Sequence, residues 1–127
     1  MHKLFIKLAI ILCFISILLG AFASHLLKEV LTESNLSSFL TGTRYQMFHG
    51  ISILVLSLNH KKFKEGLSSI LITMITGTIL FSFSIYLLST QSISNISVSY
   101  LALLTPIGGI LLICSWIMLL FQIKNNT

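Results

Sequence analysis

Charge is the scarcest property of this sequence, and negative charge is almost absent. Charged residues make up 9% of the 127 residues, with 8 lysines and arginines against 3 acidic residues. A soluble domain of this length encloses its apolar core in a surface that carries roughly 25% charged residues. With 55% hydrophobic residues and a mean hydropathy of +0.99, this chain lacks such a surface. The composition therefore predicts an integral membrane protein.

The few acids and cysteines exclude several kinds of chemistry. Glu29, Glu33 and Glu65 all lie outside the long apolar runs, so neither paired catalytic carboxylates nor a buried carboxylate relay is expected. Cys13 and Cys114 lie in separate apolar runs, a spacing that matches neither a C-x-x-C redox motif nor a zinc site. Both cysteines are interpreted as packing residues.

The net charge of +5 is compatible with a nucleic-acid partner, because basic patches release counterions from phosphate backbones. The basic residues are instead scattered between apolar runs. This distribution argues against nucleic acid and indicates that they orient the chain in a membrane. The sequence also contains no phosphate-cradling loop and no nucleotide-binding motif.

Four apolar runs predict an all-α fold, an integral membrane bundle of four transmembrane helices in a single domain covering residues 1–127. The predicted spans are residues 4–24, 44–60, 66–89 and 100–123. The first run could alternatively be a cleavable signal peptide, because its end fits a cleavage site. Its length and the lysine at position 7 favour a membrane span. The second run is short for a crossing and could alternatively be re-entrant.

An interfacial amphipathic helix is predicted between the first and second spans. From His25 to Thr43 the chain mixes polar and apolar residues, and the apolar ones recur with helical spacing. This pattern is typical of a helix that lies along the membrane surface rather than crossing it.

The basic residues are unevenly divided between the two sides of the membrane that four spans imply. Six fall on one side and two on the other: Lys3, Lys7, Lys61, Lys62, Lys64 and Lys124 against Lys28 and Arg44. Cytoplasmic loops carry an excess of lysine and arginine, so this bias predicts that both termini face the cytoplasm.

Polar and helix-distorting residues inside or at the ends of the spans are the candidate site. They are His25, Arg44, Gln46, His49, Tyr86, Thr105, Pro106, Gly108 and Gly109. With both termini in the cytoplasm, all of them are expected in the outer half of the bundle, as one polar cluster. His49 is expected to hydrogen-bond to Tyr86 or, next, to Thr105. Such bonds either only hold helices in register or belong to a site that handles protons or binds a small ligand.

Small and distorting residues predict how the helices pack. Two stripes recur every four residues: Ser16, Gly20 and Ser24 in the first span, and Ser69, Thr73 and Gly77 in the third. Pro106 either breaks the fourth span beside the site or lies in its first turn. Gly108 and Gly109 allow close approach of a neighbouring helix, and Trp116 is expected at a membrane interface.

The residues assign no reaction. The first interpretation is a non-enzymatic membrane module that binds a small ligand, a proton or a partner protein through the outer-half cluster, without a cofactor. The alternative is a membrane-embedded redox protein, or one that holds a metal or haem through His25 and His49. The partners implied are the lipid bilayer and either another membrane protein or further copies of this chain.

Four ordered segments of the sequence resemble a known family. They are residues 20–25 (GAFASH), 45–49 (YQMFH), 81–87 (FSFSIYL) and 105–109 (TPIGG), the last followed by Ser115 and Trp116. In order and spacing these resemble the YgdD-like family of small bacterial membrane proteins, domain of unknown function 423, whose eukaryotic relatives are called transmembrane protein 256. The resemblance covers nearly the whole chain and implies a four-helix inner-membrane protein with an uncleaved first span, but no reaction. Ala23, Ser24 and Phe83 replace smaller residues of the family pattern.

Overall fold

The computed structural model describes residues 2–123 and consists of helices joined by short turns. The four α-helices are α1 (His2–His25), α2 (Glu33–Leu58), α3 (Leu67–Ser94) and α4 (Leu104–Leu120). Short 3-10 turns occupy Leu27–Glu29, His60–Lys62 and Ser99–Leu103. The all-α fold class predicted from the sequence is therefore confirmed.

Three segments of the described chain are long and apolar enough to cross a membrane. They are His2–Glu29, Leu67–Ser94 and Ser99–Leu120. Helix α2 has 26 residues, and at about 1.5 Å per residue it is about 39 Å long. Its length is thus sufficient for a crossing, but it is less apolar than the other helices.

The boundary predicted between an interfacial helix and the second span is not found. The sequence predicts the interfacial helix over residues 25–43 and the span at residues 44–60, whereas the structure has one continuous helix from Glu33 to Leu58. Only the Leu27–Glu29 turn separates α1 from α2.

The continuity of α2 follows from a well-capped start and the absence of a stop. The Thr32 hydroxyl oxygen accepts a hydrogen bond from the backbone N–H of Asn35 at 3.2 Å, which satisfies one of the free donors of the first turn. Residues 33–58 contain no proline, so every residue of the helix can donate its backbone hydrogen bond. Gly42, which is a weak helix former, is buried against the ring of Tyr86.

Helix α2 lies at the centre of the bundle with its polar face inward. Helices α1 and α3 both pack on α2, and α4 packs on α3. Thr43, Gln46 and His49 are buried within the bundle, whereas Phe48 and Val55 are exposed on the opposite face of α2. The position of α2 thus explains part of its polarity, because these three polar side chains lie inside the bundle, whereas the polar residues of its first turns are mostly exposed.

The two ends of the bundle differ in charge. At one end the His2 and His60 rings stack with centroids 4.0 Å apart, and the backbone N–H of Lys64 donates to the Gln122 carbonyl oxygen at 2.8 Å. This end, formed by residues 2–7, 59–66 and 121–123, is called the basic end. It collects Lys3, Lys7, Lys61, Lys62 and Lys64, while Lys124 lies outside the described residues.

Helices α3 and α4 cross at two glycines. A Cβ atom added to Gly108 would lie 2.5 Å from the Phe81 backbone nitrogen and 2.9 Å from the Gly77 carbonyl oxygen. An added Cβ on Gly77 would lie 3.1 Å from the Gly108 carbonyl oxygen. Gly108 thus allows the close approach expected of it, whereas an added Cβ on Gly109 would meet nothing nearer than 3.8 Å.

The two predicted stripes of small residues contact neighbouring helices only in part. Ser16 is buried and its hydroxyl donates to the Thr43 carbonyl oxygen at 2.7 Å, and Gly77 lies at the α3–α4 crossing. Ser24 is exposed and bonds within its own helix, and Ser69 is also exposed. Because a spacing of four residues drifts by about 40° per step around a helix, a stripe does not stay on one neighbour.

We expect Gly108→Ala to destabilise the fold strongly. The added methyl group would meet backbone atoms of α3, which cannot rotate away, so the loss in the free energy of unfolding should reach about 3 kcal/mol, the upper end for overpacking. Thermal unfolding in detergent, followed by circular dichroism, measures it. The matched control is Gly109→Ala, which adds the same methyl group without a close contact and should leave stability unchanged or raise it by up to about 1 kcal/mol, because alanine is the better helix former. Equal unfolding temperatures for the two variants would contradict the crossing.

Candidate functional site

Gln46 joins three helices through a single side chain. Its amide nitrogen donates a hydrogen bond to the Leu12 carbonyl oxygen of α1 at 2.9 Å. Its amide oxygen accepts a hydrogen bond from the Tyr86 hydroxyl of α3 at 2.8 Å. A backbone carbonyl can only accept, so the Leu12 contact assigns the orientation of the amide. Gln46 therefore links α1, α2 and α3 in the interior of the bundle, where it is 5% exposed.

Tyr86 is held against α2 by packing as well as by this hydrogen bond. Its ring lies against Phe39 with centroids 4.7 Å apart. The ring also covers Gly42, where an added Cβ would lie 2.8 Å from the aromatic edge. One turn earlier on α3, the Ser82 hydroxyl donates to the Gly42 carbonyl oxygen at 2.9 Å. These contacts direct the Tyr86 hydroxyl toward Gln46.

A groove of about 480 Å³ opens beside the Gln46–Tyr86 pair, between α1 and α3. Helices α1 and α3 pack mainly on α2 rather than on each other, which leaves this space between them. Its walls include Ile15, Leu19, Phe22, Ile79, Phe83 and Leu87. Several of these wall residues are exposed, so the groove opens laterally at the bundle surface. It is called the α1–α3 groove.

His49 makes a second interhelical contact on another side of α2. Its Nδ1 lies 2.8 Å from the Tyr45 carbonyl oxygen, and the Trp116 indole N–H of α4 donates to its Nε2 at 3.1 Å. An indole nitrogen can only donate, so Nε2 is the unprotonated acceptor and Nδ1 carries the proton. Both nitrogens of a neutral imidazole are thus used: Nδ1 bonds within α2, and Nε2 holds α2 to α4.

The hydrogen-bond partners predicted for His49 are wrong. Tyr86 donates to Gln46 instead, and the Thr105 hydroxyl lies 2.7 Å from that of Ser84. His49 follows Gln46 by three residues, so the two side chains point about 60° apart around the axis of α2. His49 therefore faces α4, while Gln46 faces α1 and α3. His49 also lies in the half of α2 nearer the basic end, because the helix begins earlier than predicted.

The remaining predicted site residues do not join a single cluster. His25 is exposed at the end of α1, and Arg44 is exposed on the outward face of α2. Because Gln46 is level with Leu12 and His49 lies three residues further from the His25 end, His25 lies roughly 24 Å from His49 along the bundle axis at 1.5 Å per residue. The two histidines cannot share a metal ion or a haem. Residues 2–123 also contain no group of three or more potential metal ligands.

Pro106 lies in the first turn of α4 and not at a break within it. Helix α4 begins at Leu104, directly after the Ser99–Leu103 turn. At that position the missing backbone N–H has little cost, because the first turn has no intrahelical acceptor for it. Thr105 beside it bonds to Ser84 and thereby links the start of α4 to α3.

The candidate site predicted from the sequence does not include Trp116 or the serines that form hydrogen bonds between helices. A signal for Trp116 was present, because an indole N–H inside an apolar helix needs an acceptor, and His49 is the imidazole nearest the middle of a predicted span. The serines carry no such signal. Ser82 bonds across to α2, whereas Ser57 bonds to its own helix, and the sequence does not distinguish the two cases.

One protein-family model matches most of the chain. Residues 19–109 match the family described as protein of unknown function (DUF423). The chain belongs to this family. The matched segment contains Gln46, His49, Tyr86 and Thr105, and the resemblance stated from the sequence motifs is confirmed.

Relatives of the chain are bacterial membrane proteins. The UPF0382 membrane protein YwdK of Bacillus subtilis (strain 168) is 35% identical over 120 residues, which cover 92% of this chain and 93% of that protein. The UPF0382 membrane protein of Haemophilus influenzae is 35% identical over 121 residues, covering 95% and 94%. No solved structure matches the chain. The membrane assignment made from composition is therefore confirmed.

The hydrogen bonds predict which substitutions are coupled. His49→Leu and Trp116→Phe each leave the other polar group without a partner, so the double variant should lose less stability than the two single losses combined. The coupling should be about 0.5–3 kcal/mol in a double-mutant cycle of thermal stability in detergent. As a control, His49→Leu and Tyr86→Phe should be additive within about 0.5 kcal/mol. Coupling of His49 to Tyr86 but not to Trp116 would contradict this geometry.

Proposed function

We propose that the chain is a non-enzymatic membrane module that binds a small, mainly apolar molecule in the α1–α3 groove. The observation that carries this proposal is the Gln46–Tyr86 pair at the base of an apolar groove that opens at the bundle surface. The walls offer apolar contact, and the pair offers one place for a polar group of the ligand.

The size and composition of the groove support this proposal. Its volume of about 480 Å³ lies within the range of roughly 300–1,000 Å³ that is typical of small-molecule sites. Such sites combine apolar walls with a few placed polar groups, as the α1–α3 groove does. Its lateral opening gives access from the hydrocarbon phase, where an apolar molecule concentrates.

Gln46 keeps a hydrogen-bond donor for the ligand. Its amide nitrogen carries two hydrogens, of which one is donated to Leu12. The other has no acceptor among residues 2–123, and Gln46 lines the groove. An unused donor is costly in a low-dielectric setting, so a ligand that presents an oxygen acceptor gains affinity. We therefore infer an apolar molecule with a carbonyl, ether or hydroxyl oxygen.

The groove supports binding and not a reaction. The described residues that line it include no acidic, basic or thiol side chain. General acid–base and nucleophilic catalysis usually need such groups. The Tyr86 hydroxyl, which is the nearest alternative, already donates to Gln46.

We also propose that α2 crosses the membrane, which gives four crossings of a bacterial inner membrane with both termini in the cytoplasm. Helix α2 is long enough, at about 39 Å, and three polar side chains near its middle, Thr43, Gln46 and His49, are buried within the bundle. The basic end collects five lysines, Lys3, Lys7, Lys61, Lys62 and Lys64. An excess of lysine on one side is typical of cytoplasmic loops.

Reporter insertions test this topology. A reporter that is active only in the cytoplasm should be active when inserted in residues 61–65 and inactive when inserted in residues 95–98. A third insertion, in residues 28–30, tests α2 separately and should be inactive. Activity at both residues 28–30 and residues 61–65 would show that α2 does not cross. The reverse pattern at residues 61–65 and 95–98 would contradict the orientation.

Photo-crosslinking tests the groove. A fatty alcohol that carries a diazirine, added to the protein in lipid nanodiscs, should label peptides from the facing walls of α1 and α3. Ile79→Trp should lower this labelling about tenfold, because the larger side chain fills the groove and removes a contact worth roughly 1.4 kcal/mol. Mass spectrometry of the labelled peptides gives the position and the yield.

Ile72→Trp is the matched control for this experiment. Ile72 and Ile79 are both exposed on α3, but only Ile79 lines the groove. The control should label like the unmodified protein. Uniform labelling of all exposed helix faces, or an equal effect of both tryptophans, would contradict a binding site in the groove.

A further inference from the structure

A second cavity, of about 600 Å³, lies at the basic end of the bundle. It forms where the start of α1 meets the α2–α3 loop, and its walls include His2, His60, Lys61, Lys64 and the first turn of α3. It shares no lining residue with the α1–α3 groove. Its chemistry is also different, because cationic and neutral donors replace the apolar walls.

The cavity is framed by contacts on both sides of the loop. The backbone N–H of Lys64 donates to the Gln122 carbonyl oxygen at 2.8 Å, and its ammonium group donates to the Phe121 carbonyl oxygen at 2.9 Å. These bonds tie the loop to α4. On the other side, the His2 and His60 rings stack at 4.0 Å with an interplanar angle of 17°. The histidines are therefore held in place before any ligand arrives.

Several hydrogen-bonding groups line this space. The Nδ1 atom of His2 is buried and has no hydrogen-bond partner among residues 2–123. His60 donates from its Nδ1 to the Ser57 carbonyl oxygen of α2, so its Nε2 donates to an anion in the imidazolium form. Lys61 adds a positive charge to the wall. The backbone N–H groups of Leu67 and Ser68, in the first turn of α3, have no intrahelical acceptor.

We propose that this basic-end cavity binds a phosphate group, with His2, His60 and Lys61 as its principal contacts. A phosphate offers several acceptor oxygens and negative charge, which suit imidazole, ammonium and helix-start N–H donors together. Glu65 is the one acidic side chain on the described wall, and it is exposed, so it can turn toward solvent. The proposal depends neither on the α1–α3 groove nor on the orientation of the chain.

The phosphate group can belong to an anionic lipid headgroup or to a soluble phosphate. Both sources present the same oxygens, and the basic end lies where the helices end and headgroups begin. The test therefore compares lipids that differ only in their phosphate. Phosphatidic acid and diacylglycerol with identical acyl chains are such a pair.

Native mass spectrometry of the full chain in detergent measures retention of each lipid. The protein should retain phosphatidic acid and not diacylglycerol. Lys61→Gln and His60→Gln should each lower the retention of phosphatidic acid by about tenfold, as loss of a charge-assisted hydrogen bond does. Lys7→Gln is the matched control, since Lys7 is exposed at the same end without lining the cavity, and should leave retention unchanged.

A competition experiment distinguishes a lipid headgroup from a soluble phosphate as the source of the phosphate group. Displacement of the lipid by sodium phosphate, at an ionic strength where sodium chloride has no effect, supports a site for free phosphate as well as for lipid. If added phosphatidic acid displaces the bound lipid and sodium phosphate does not, the result supports a site for the lipid headgroup. Equal retention of the two lipids, or an equal loss of retention in Lys7→Gln and Lys61→Gln at unchanged thermal stability, would overturn the proposal.

Discussion

The hydrogen bonds of Gln46 set the arrangement of this bundle. Apolar side chains gain little by leaving lipid for one another, so helices in a bilayer associate through close packing and polar contacts. Gln46 makes both of its interhelical hydrogen bonds only when α1 and α3 both lie against α2. Trp116 then holds α4 to α2 through His49. Because α1 and α3 pack mainly on α2 rather than on each other, the α1–α3 groove remains between them.

The apolar helices could be predicted because each is a continuous run of apolar residues, which is visible in a short stretch of sequence. The first and third predicted spans, residues 4–24 and 66–89, correspond to α1 and α3 with ends that differ by a few residues. The sequence predicts two separate segments where the structure has the single helix α2. The reason is that hydropathy is averaged over a window and does not depend on which side chains are buried. Thr43, Gln46 and His49 are buried against neighbouring helices, and no local signal distinguishes this burial from exposure at a membrane surface.

Four of the nine predicted site residues make polar contacts between helices, but their partners are not the predicted ones. Gln46, His49, Tyr86 and Thr105 all make interhelical hydrogen bonds, as polar residues within a span should. Their pairing depends on the rotation of each helix about its axis and on the true start of α2. Neither quantity can be read from one sequence, which is why His49 was paired with the wrong side chain.

Solid-state NMR of the protein in lipid bilayers tests the central role of Gln46 most directly. Labelling the Gln46 side-chain amide with ¹⁵N, the Leu12 carbonyl with ¹³C and the Tyr86 ring with ¹³C isolates the two contacts. We expect through-space correlations from the Gln46 amide to both labels, since both contacts are short in the structure. An amide that correlates with water or lipid, and with neither residue, would contradict this role of Gln46.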